Sequence, residues 1–314
     1  MKSIHLTGLA ARTAARPRRA GLRLHHPATP YLLCAPYVLL LIVFVLWPAG
    51  FGVWMSLHDW DFMMPNKPFV GLANYADLFD PASRTFQPFW DGMIATGIFT
   101  LASVPLLLAI PLGIAMMLHR RFPGRTFFRA VIFAPYVLGI GVVGVLFNFL
   151  LDSRYGLVNA ITALVGLPPV SWTQTQPAAW VGLVAMTVWW TLGFNTVIYL
   201  AGLQNVSPDL YESAEIDGAG AWSRFRHVTL PGLRSVMIFV VTMTVLASAN
   251  MFGQSYLVTG GGPGTSTRTA IMVMTEEGLR SFRMGSATAM SYLLAIALAL
   301  VSIVNFFVLR ERKR

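Results

Sequence analysis

Residues 203–231 read LQNVSPDLYESAEIDGAGAWSRFRHVTLP, from Leu203 to Pro231, and the punctuation in this stretch organises the chain around it. Ser207 followed by Pro208 predicts a helix start, with a capping hydroxyl and then proline at the first helical position, where a missing N–H costs nothing. Asp209 and Glu212 are expected in the first turn, where the helix dipole favours acids. Gly218 and Gly220 stop the helix and permit a turn. A second helical piece, Ala221 to Val228, leads to Leu230 and Pro231, with the proline suited to open the next helix. The short helix presents Leu210, Tyr211 and Ala214 on one side, and Glu212 and Glu215 on another. Taken alone, these residues equally fit a surface loop that only joins two apolar segments.

Those flanking segments are long. Six runs read as membrane-spanning helices: Tyr31–Leu57, Met93–Leu118, Ala130–Leu151, Ala179–Ala201, Ser235–Leu257 and Ala287–Leu309. Each is near the roughly 20 residues needed to cross a bilayer. None contains Asp, Glu, Lys, Arg or His, as expected where a central charge costs about 2.5–3.5 kcal/mol. Composition agrees: 55% of the 314 residues are hydrophobic and 11% charged, against the roughly 25% charged residues of soluble chains. Mean hydropathy is +0.62. Prolines 36, 48, 105, 111 and 135 lie inside these runs and are expected as kinks whose freed backbone groups neighbouring helices satisfy. Cys34, the single cysteine, excludes an internal disulfide and any cysteine-rich metal site, and reads as a buried neutral thiol. Arg18 and Arg19 suggest an export signal, but the first apolar run is too long for a signal core and no A-x-A site follows it.

Orientation follows from the basic residues. With both termini inside, Lys and Arg number six in the tail, four between His119 and Arg129, three between Gly202 and Arg234, and four in Arg310–Arg314. Six remain outside: Lys67, Arg84, Arg154, Arg268, Arg280 and Arg283. This bias predicts cytoplasmic termini. It also turns the net charge of +10 into a topology and lipid signal rather than a nucleic-acid patch. The division expected is a disordered basic tail over residues 1–30, a transmembrane domain over 31–309 with its inner loop at 202–234, and a basic end at 310–314. The first outer segment, His58–Gly92, is rich in aromatic residues and proline, which fits an interfacial belt or a partner contact. Thr259–Pro263 (TGGGP) is a sharp turn.

The quoted loop resembles the signature of binding-protein-dependent ABC importer permeases, E-A-A, three residues, G, nine residues, I-x-L-P. Here it reads Glu212-Ser213-Ala214, Gly218, then Val228-Thr229-Leu230-Pro231, with every gap kept and two small departures at Ser213 and Val228. Phe69–Tyr75 (FVGLANY), Ala201–Gln204 (AGLQ) and Leu257–Pro263 (LVTGGGP) are similar to patterns of the carbohydrate branch, and the likeness runs from about Trp47 to Leu293. It implies an all-α six-helix bundle of the type I ABC importer kind. It also implies partners: a second homologous permease, two ATPase subunits, an extracytoplasmic solute-binding protein and membrane lipids, with no nucleic acid. ATP and magnesium would act on the ATPase subunits. This chain is expected to bind no cofactor or metal and to catalyse nothing, since it has no G-x-x-x-x-G-K-[ST] loop. ATPase coupling would fall to Glu212, Ser213, Ala214, Asp217, Gly218, Ala219, Leu230 and Pro231.

Helical spacing adds a candidate pathway. Thr187, Trp190, Thr191 and Phe194 share one face of the fourth run, and Thr244, Ala247, Ser248 and Met251 share one face of the fifth. In maltodextrin-carrying relatives these faces hold the sugar, although the identities here do not copy that pattern. Ordinary packing is the competing reading, since Ser and Thr are common between membrane helices. Asn195, Asn250 and Gln254 are further polar groups there. An ion-coupled carrier would need an ionisable group in the spans, and a membrane enzyme would need a nucleophile–base pair or metal cluster at depth; the spans supply neither. Glycerol-phosphate or its diesters share the same outer patterns and stay open as solutes.

Overall fold

The computed structural model describes residues 29–120 and 122–309. Arg18, Arg19, nearly all of the tail expected over 1–30, and the basic end 310–314 lie outside the described residues. The chain divides into two compact units, Met1–Phe51 and Gly52–Arg314. The described part of the first is helical throughout. Helix α1 (Thr29–Leu41) passes into a π-helical turn, Ile42–Leu46, and then into α2 (Trp47–Ser56), whose last turn begins the second unit. Cys34 is exposed, not buried as expected. An apolar run suggests an interior, but apolar side chains surround this helix on every face, so apolarity does not mark a buried side.

The second unit is a helical bundle. After the short α3 (Ala73–Ala76) comes α4 (Phe86–His119), whose 34 residues make about 50 Å of helix. It starts before the predicted Met93 because its first turns pack on the outer segment: Phe89 is fully buried, and the Trp90 indole N–H donates to the Leu78 carbonyl at 2.8 Å. Helices α5 (Arg125–Val137), α6 (Ile140–Leu150), α7 (Leu157–Leu164) and α8 (Ala178–Gln204) follow. The signature-like loop forms α9 (Pro208–Ile216), α10 (Ala221–Arg224), a π-helical turn at Phe225–Thr229 and α11 (Leu230–Gly232). Then come α12 (Arg234–Ala249), α13 (Gly253–Val258), α14 (Ala270–Thr275), a π-helical turn at Glu276–Arg280, and α15 (Met284–Leu309). No strand occurs among the described residues; two isolated bridges join His58 to Phe69 and Asp61 to Arg283.

Helices α4 and α8 pack along one another and form the spine of this unit. One apolar cluster, with Phe99, Leu183, Met186 and Met251, fills one part of the bundle; another, with Leu118, Tyr199, Leu203 and Leu233, packs where α8 meets the signature-like loop. Gly193 sets how closely α5 approaches α8: a Cβ there would lie 2.5 Å from the Phe133 Cα and 2.6 Å from the Ile132 oxygen.

Among the described residues, four helices are long and apolar enough to cross a membrane, or up to six if each of two bent pairs counts as one span. The third run bends far more sharply than the kink expected at Pro135, and the fifth ends earlier than expected. The third breaks at Leu138–Gly139, where both residues are extended, and α5 and α6 meet at 96°. The fifth is entered through a 74° bend after α11, and its helix ends at Ala249, before the predicted Leu257, with α13 following as a separate piece. Every break frees backbone groups that must find partners at membrane depth, and side chains supply them. Trp190 Nε1 donates to the Leu138 carbonyl at 2.9 Å, and Thr269 Oγ1 to the Met251 carbonyl at 2.8 Å. Asn148 Nδ2 reaches the Leu257 and Val258 carbonyls at 3.3 and 3.2 Å. Pro111 within α4 has no N–H for the Leu107 carbonyl four residues earlier, and Asn195 Nδ2 donates to that oxygen at 2.9 Å.

Candidate functional site

The loop between α8 and α12 begins as the sequence predicts, with one difference. Ser207 takes the cap position and Pro208 the first helical one, but the serine hydroxyl makes no capping bond. The proline has no N–H of its own, so one of the orphan donors of the first turn is absent. Asp209 lies in the first turn; Glu212 does not, because proline fixes the start and places it a turn further on. The C-terminal end is a Schellman turn. Ala219 N–H donates to the Ala214 carbonyl at 2.8 Å and Gly218 N–H to the Glu215 carbonyl at 3.0 Å, with Gly218 at φ +75°.

Two contacts hold α9 against the remainder of the loop. Tyr211 and Thr229 hydroxyls are 3.0 Å apart, and Arg224 pairs with Glu215 at 3.3 Å. The local partner is thus Glu215, and Glu212 stays exposed. Ser213, Asp217, Gly218 and Pro231 are exposed as well, while Ala214, Ala219 and Leu230 are half-buried. Ile216, 87% exposed, and Leu210 give the outer surface of α9 an apolar character that the chain itself does not cover.

The second candidate is a cavity of about 450 Å³ between α8, α12 and the break of the third helix. Thr187, Trp190, Thr191 and Phe194 line it from α8, and Thr244, Ala247, Ser248 and Met251 from α12 and the residues after it. Asn195, Asn250 and Gln254 line it too. The two predicted faces therefore meet in one space. Spacing within single helices does not disclose Tyr136 and Ile140, which the 96° break turns into the wall, nor Phe252. Tyr136 stacks on Phe194 with centroids 4.9 Å apart and 22° between planes. Pro135 and Gly139 are the local signs of that break.

Several polar groups are already engaged. The Trp190 N–H is committed to Leu138, which leaves its ring face for other contacts. Thr187 and Thr191 donate to carbonyls one turn back, at 2.8 Å each, so that their hydroxyls have only acceptor capacity left. Asn195 also reaches Thr244 Oγ1 at 3.3 Å, and Ser103 donates to Ser248 at 3.3 Å, tying α4, α8 and α12 together. Among the described residues no charged side chain lines the cavity.

Near the α14–α15 junction, Arg283 grips Glu277 with two bonds of 2.6 and 2.7 Å, Arg84 approaches the same carboxylate at 3.7 Å, and Arg268 pairs with Glu276. The bond from Glu277 raises the Arg283 pKa. Glu277 is only 12% exposed, and Glu277→Ala would strip Arg283 of its bidentate carboxylate. The expected loss is about 1 kcal/mol, small because Arg84 and part of Arg283 stay in contact with water; a thermal midpoint in detergent reads it. In the loop between α6 and α7, Asp152 accepts the Tyr155 and Arg154 amides, which hold its carboxyl below the usual range. Among the described residues no group of three His, Cys, Asp or Glu is placed to hold a metal.

The architecture matches that of a solved bacterial ABC transporter involved in the import of the acidic polysaccharide alginate. The TM-score is 0.77 at 21% identity over 91% of this chain and 96% of that one, a likeness of fold. It is the fold of a type I ABC importer permease. Residues 109–310 match the binding-protein-dependent transport system inner membrane component, and the chain belongs to that family. The trehalose/maltose transport system permease MalF of Thermococcus litoralis is 33% identical over 86% of this chain and 91% of its own. The lactose transport system permease LacF of Rhizobium radiobacter is 32% identical over 94% and 98%. The protein is therefore a membrane-embedded permease component of a transport system.

Proposed function

We propose that this chain forms half of the translocation pathway for an uncharged sugar or related polyol and is driven through loop 207–231 by a cytoplasmic ATPase. The observation that carries this reading is the cavity between α8 and α12, where aromatic faces of Tyr136, Trp190 and Phe194 stand beside neutral hydroxyl and amide groups. Sugars combine apolar ring faces with many hydroxyls, and such a lining answers both without a charge. Relatives named for trehalose, maltose and lactose support the same class. A glycerol-phosphate solute is the weaker reading, since among the described residues no cation lines the cavity to neutralise it; an ion-coupled carrier is weaker still.

In this reading the α5–α6 pair is one span and α12 another beside the four long helices, giving six, and the basic bias of the sequence supports cytoplasmic termini. The exposed, partly apolar face of α9 docks on one of two ATPase subunits, which hold ATP and magnesium, while this chain binds neither. A second permease completes the pathway and an external binding protein delivers the solute. Glu212, Ser213, Ala214, Asp217, Gly218 and Ala219 lie on or just beyond α9, and Leu230 and Pro231 stand at the 74° bend into α12. A tilt of α9 is thereby carried to the helix that lines the cavity.

The test is reconstitution with the partner subunits and the binding protein, with ATP-driven uptake of the neutral sugar recovered from that binding protein. Uptake that ignores ATP, or a charged solute in the binding protein, would refute the proposal. Trp190→Ala is expected to lower that uptake about tenfold, since it removes both a ring face and the donor at Leu138, while co-purification of the ATPase stays unchanged. Unaltered uptake would return Trp190 to a packing role.

A further inference from the structure

A hollow of about 440 Å³ lies where the end of α4 meets the loop containing α9 and α10, apart from the sugar cavity. His119 and Arg120 line it from the end of α4, Arg224 from α10, and the paired hydroxyls of Tyr211 and Thr229 from the loop. Apolar side chains complete the wall, among them Met116, Leu203 and Phe225. Among the described residues no carboxylate lines it. Glu215 touches Arg224 from outside the lining with a side chain that is 71% exposed, which leaves the hollow basic. Two guanidiniums and an imidazole around a partly apolar space favour an anion there: apolar walls weaken screening, and guanidinium donors suit phosphate oxygens.

The surroundings say what kind of anion. Trp222, 71% exposed, lies 5.4 Å from the ring of Phe225 in the hollow's wall, and the exposed Phe127 and Phe128 fall in the first turn of α5, a few residues after Arg120. Exposed aromatics of this kind sit at the headgroup level of a bilayer. Met117, next in the chain to Met116 of the hollow's wall, is an exposed apolar side chain as well. We infer that this hollow is a binding site for the phosphate headgroup of an anionic phospholipid, with His119, Arg120 and Arg224 holding the phosphate and the Tyr211–Thr229 pair supplying hydroxyl contacts. The binding does not depend on the transport reading; only its consequence does. Because Arg224, Tyr211 and Thr229 belong to the proposed coupling loop, an occupied site braces that loop against α4 and makes transport sensitive to lipid charge.

The experiment uses the full chain in nanodiscs of mixed phosphatidylglycerol and phosphatidylcholine, with retained lipid counted by native mass spectrometry. The wild type is expected to retain phosphatidylglycerol with about a tenfold preference. Arg120→Gln/Arg224→Gln should lose most of it, whereas Arg120→Lys/Arg224→Lys, which keeps the charges, and Arg226→Gln, outside the hollow, should keep it. Full preference in the double glutamine variant would overturn the proposal, as would an equal loss in Arg226→Gln or in the lysine variant. Millimolar inorganic phosphate should not displace the lipid. Displacement would reassign the site to a soluble phosphate and sink the lipid source, while leaving the sugar pathway untouched.

Discussion

Gly218→Asp is expected to abolish ATP-driven uptake while the chain still inserts in the membrane at its usual level. The residue closes α9 at φ +75°, a conformation that costs an L-residue about 1–2 kcal/mol, less for aspartate than for most. A Cβ at this position meets nothing within 4 Å, so the fold of the isolated chain has room for the new side chain. What changes is the outer surface. A carboxylate is added beside Asp217 and Glu215, on the end of the helix proposed to enter the ATPase. Uptake, membrane abundance and recovery of the ATPase by affinity purification separate the possibilities. Gly218→Asn, which has the same shape, tolerates the left-handed turn and adds no charge, is expected to keep part of the activity. Normal uptake by Gly218→Asp would remove the coupling role from this loop.

How much of the molecule is legible in its sequence depends on the range of the interaction concerned. The α9 helix, its proline start and its glycine stop are local events within a dozen residues, and Pro208 and Gly218 behave as their residue types predict. Ser207 takes the cap position as its residue type predicts, but its hydroxyl makes no capping bond, which the residue type does not disclose. The long apolar helices are legible too, as length and charge alone decide them. The breaks are not. Pro135 marks a weak point, but the 96° turn at Leu138–Gly139 persists because a tryptophan 52 positions away donates to the freed carbonyl. Trp190, a candidate sugar platform, thus has a structural duty as well, and only the fold could assign it. The cavity faces lie within single helices and are found by period; the wall from Tyr136 and Ile140 requires the break, and no periodicity discloses it.

Asn195 gives the other large effect. It is 7% exposed, and its amide spans three helices by donating to Leu107 in α4 and reaching Thr244 in α12. Leucine has nearly the same shape but no donor, so Asn195→Leu strands the Leu107 carbonyl that Pro111 cannot serve. An unsatisfied buried group costs about 1–3 kcal/mol. The lower half applies, because a proline-containing helix left alone in the membrane also seeks a partner for that oxygen, which narrows the difference between states. The expected loss is about 1–2 kcal/mol, seen as a fall of roughly 5 °C in thermal midpoint in detergent. Uptake should fall as well, since Asn195 borders the cavity. The decisive measurement is a double-mutant cycle with Pro111→Ala. Alanine restores an N–H one turn after Leu107, so the carbonyl regains its helical donor and the asparagine becomes dispensable for it. The packing lost with the proline ring appears on both sides of the cycle and cancels. Asn195→Leu should therefore cost clearly less in the Pro111→Ala background than in the wild type. An equal cost in both would show that Asn195 stabilises the bundle by another route, and the pairing of a helix break with a distant donor would lose its best case.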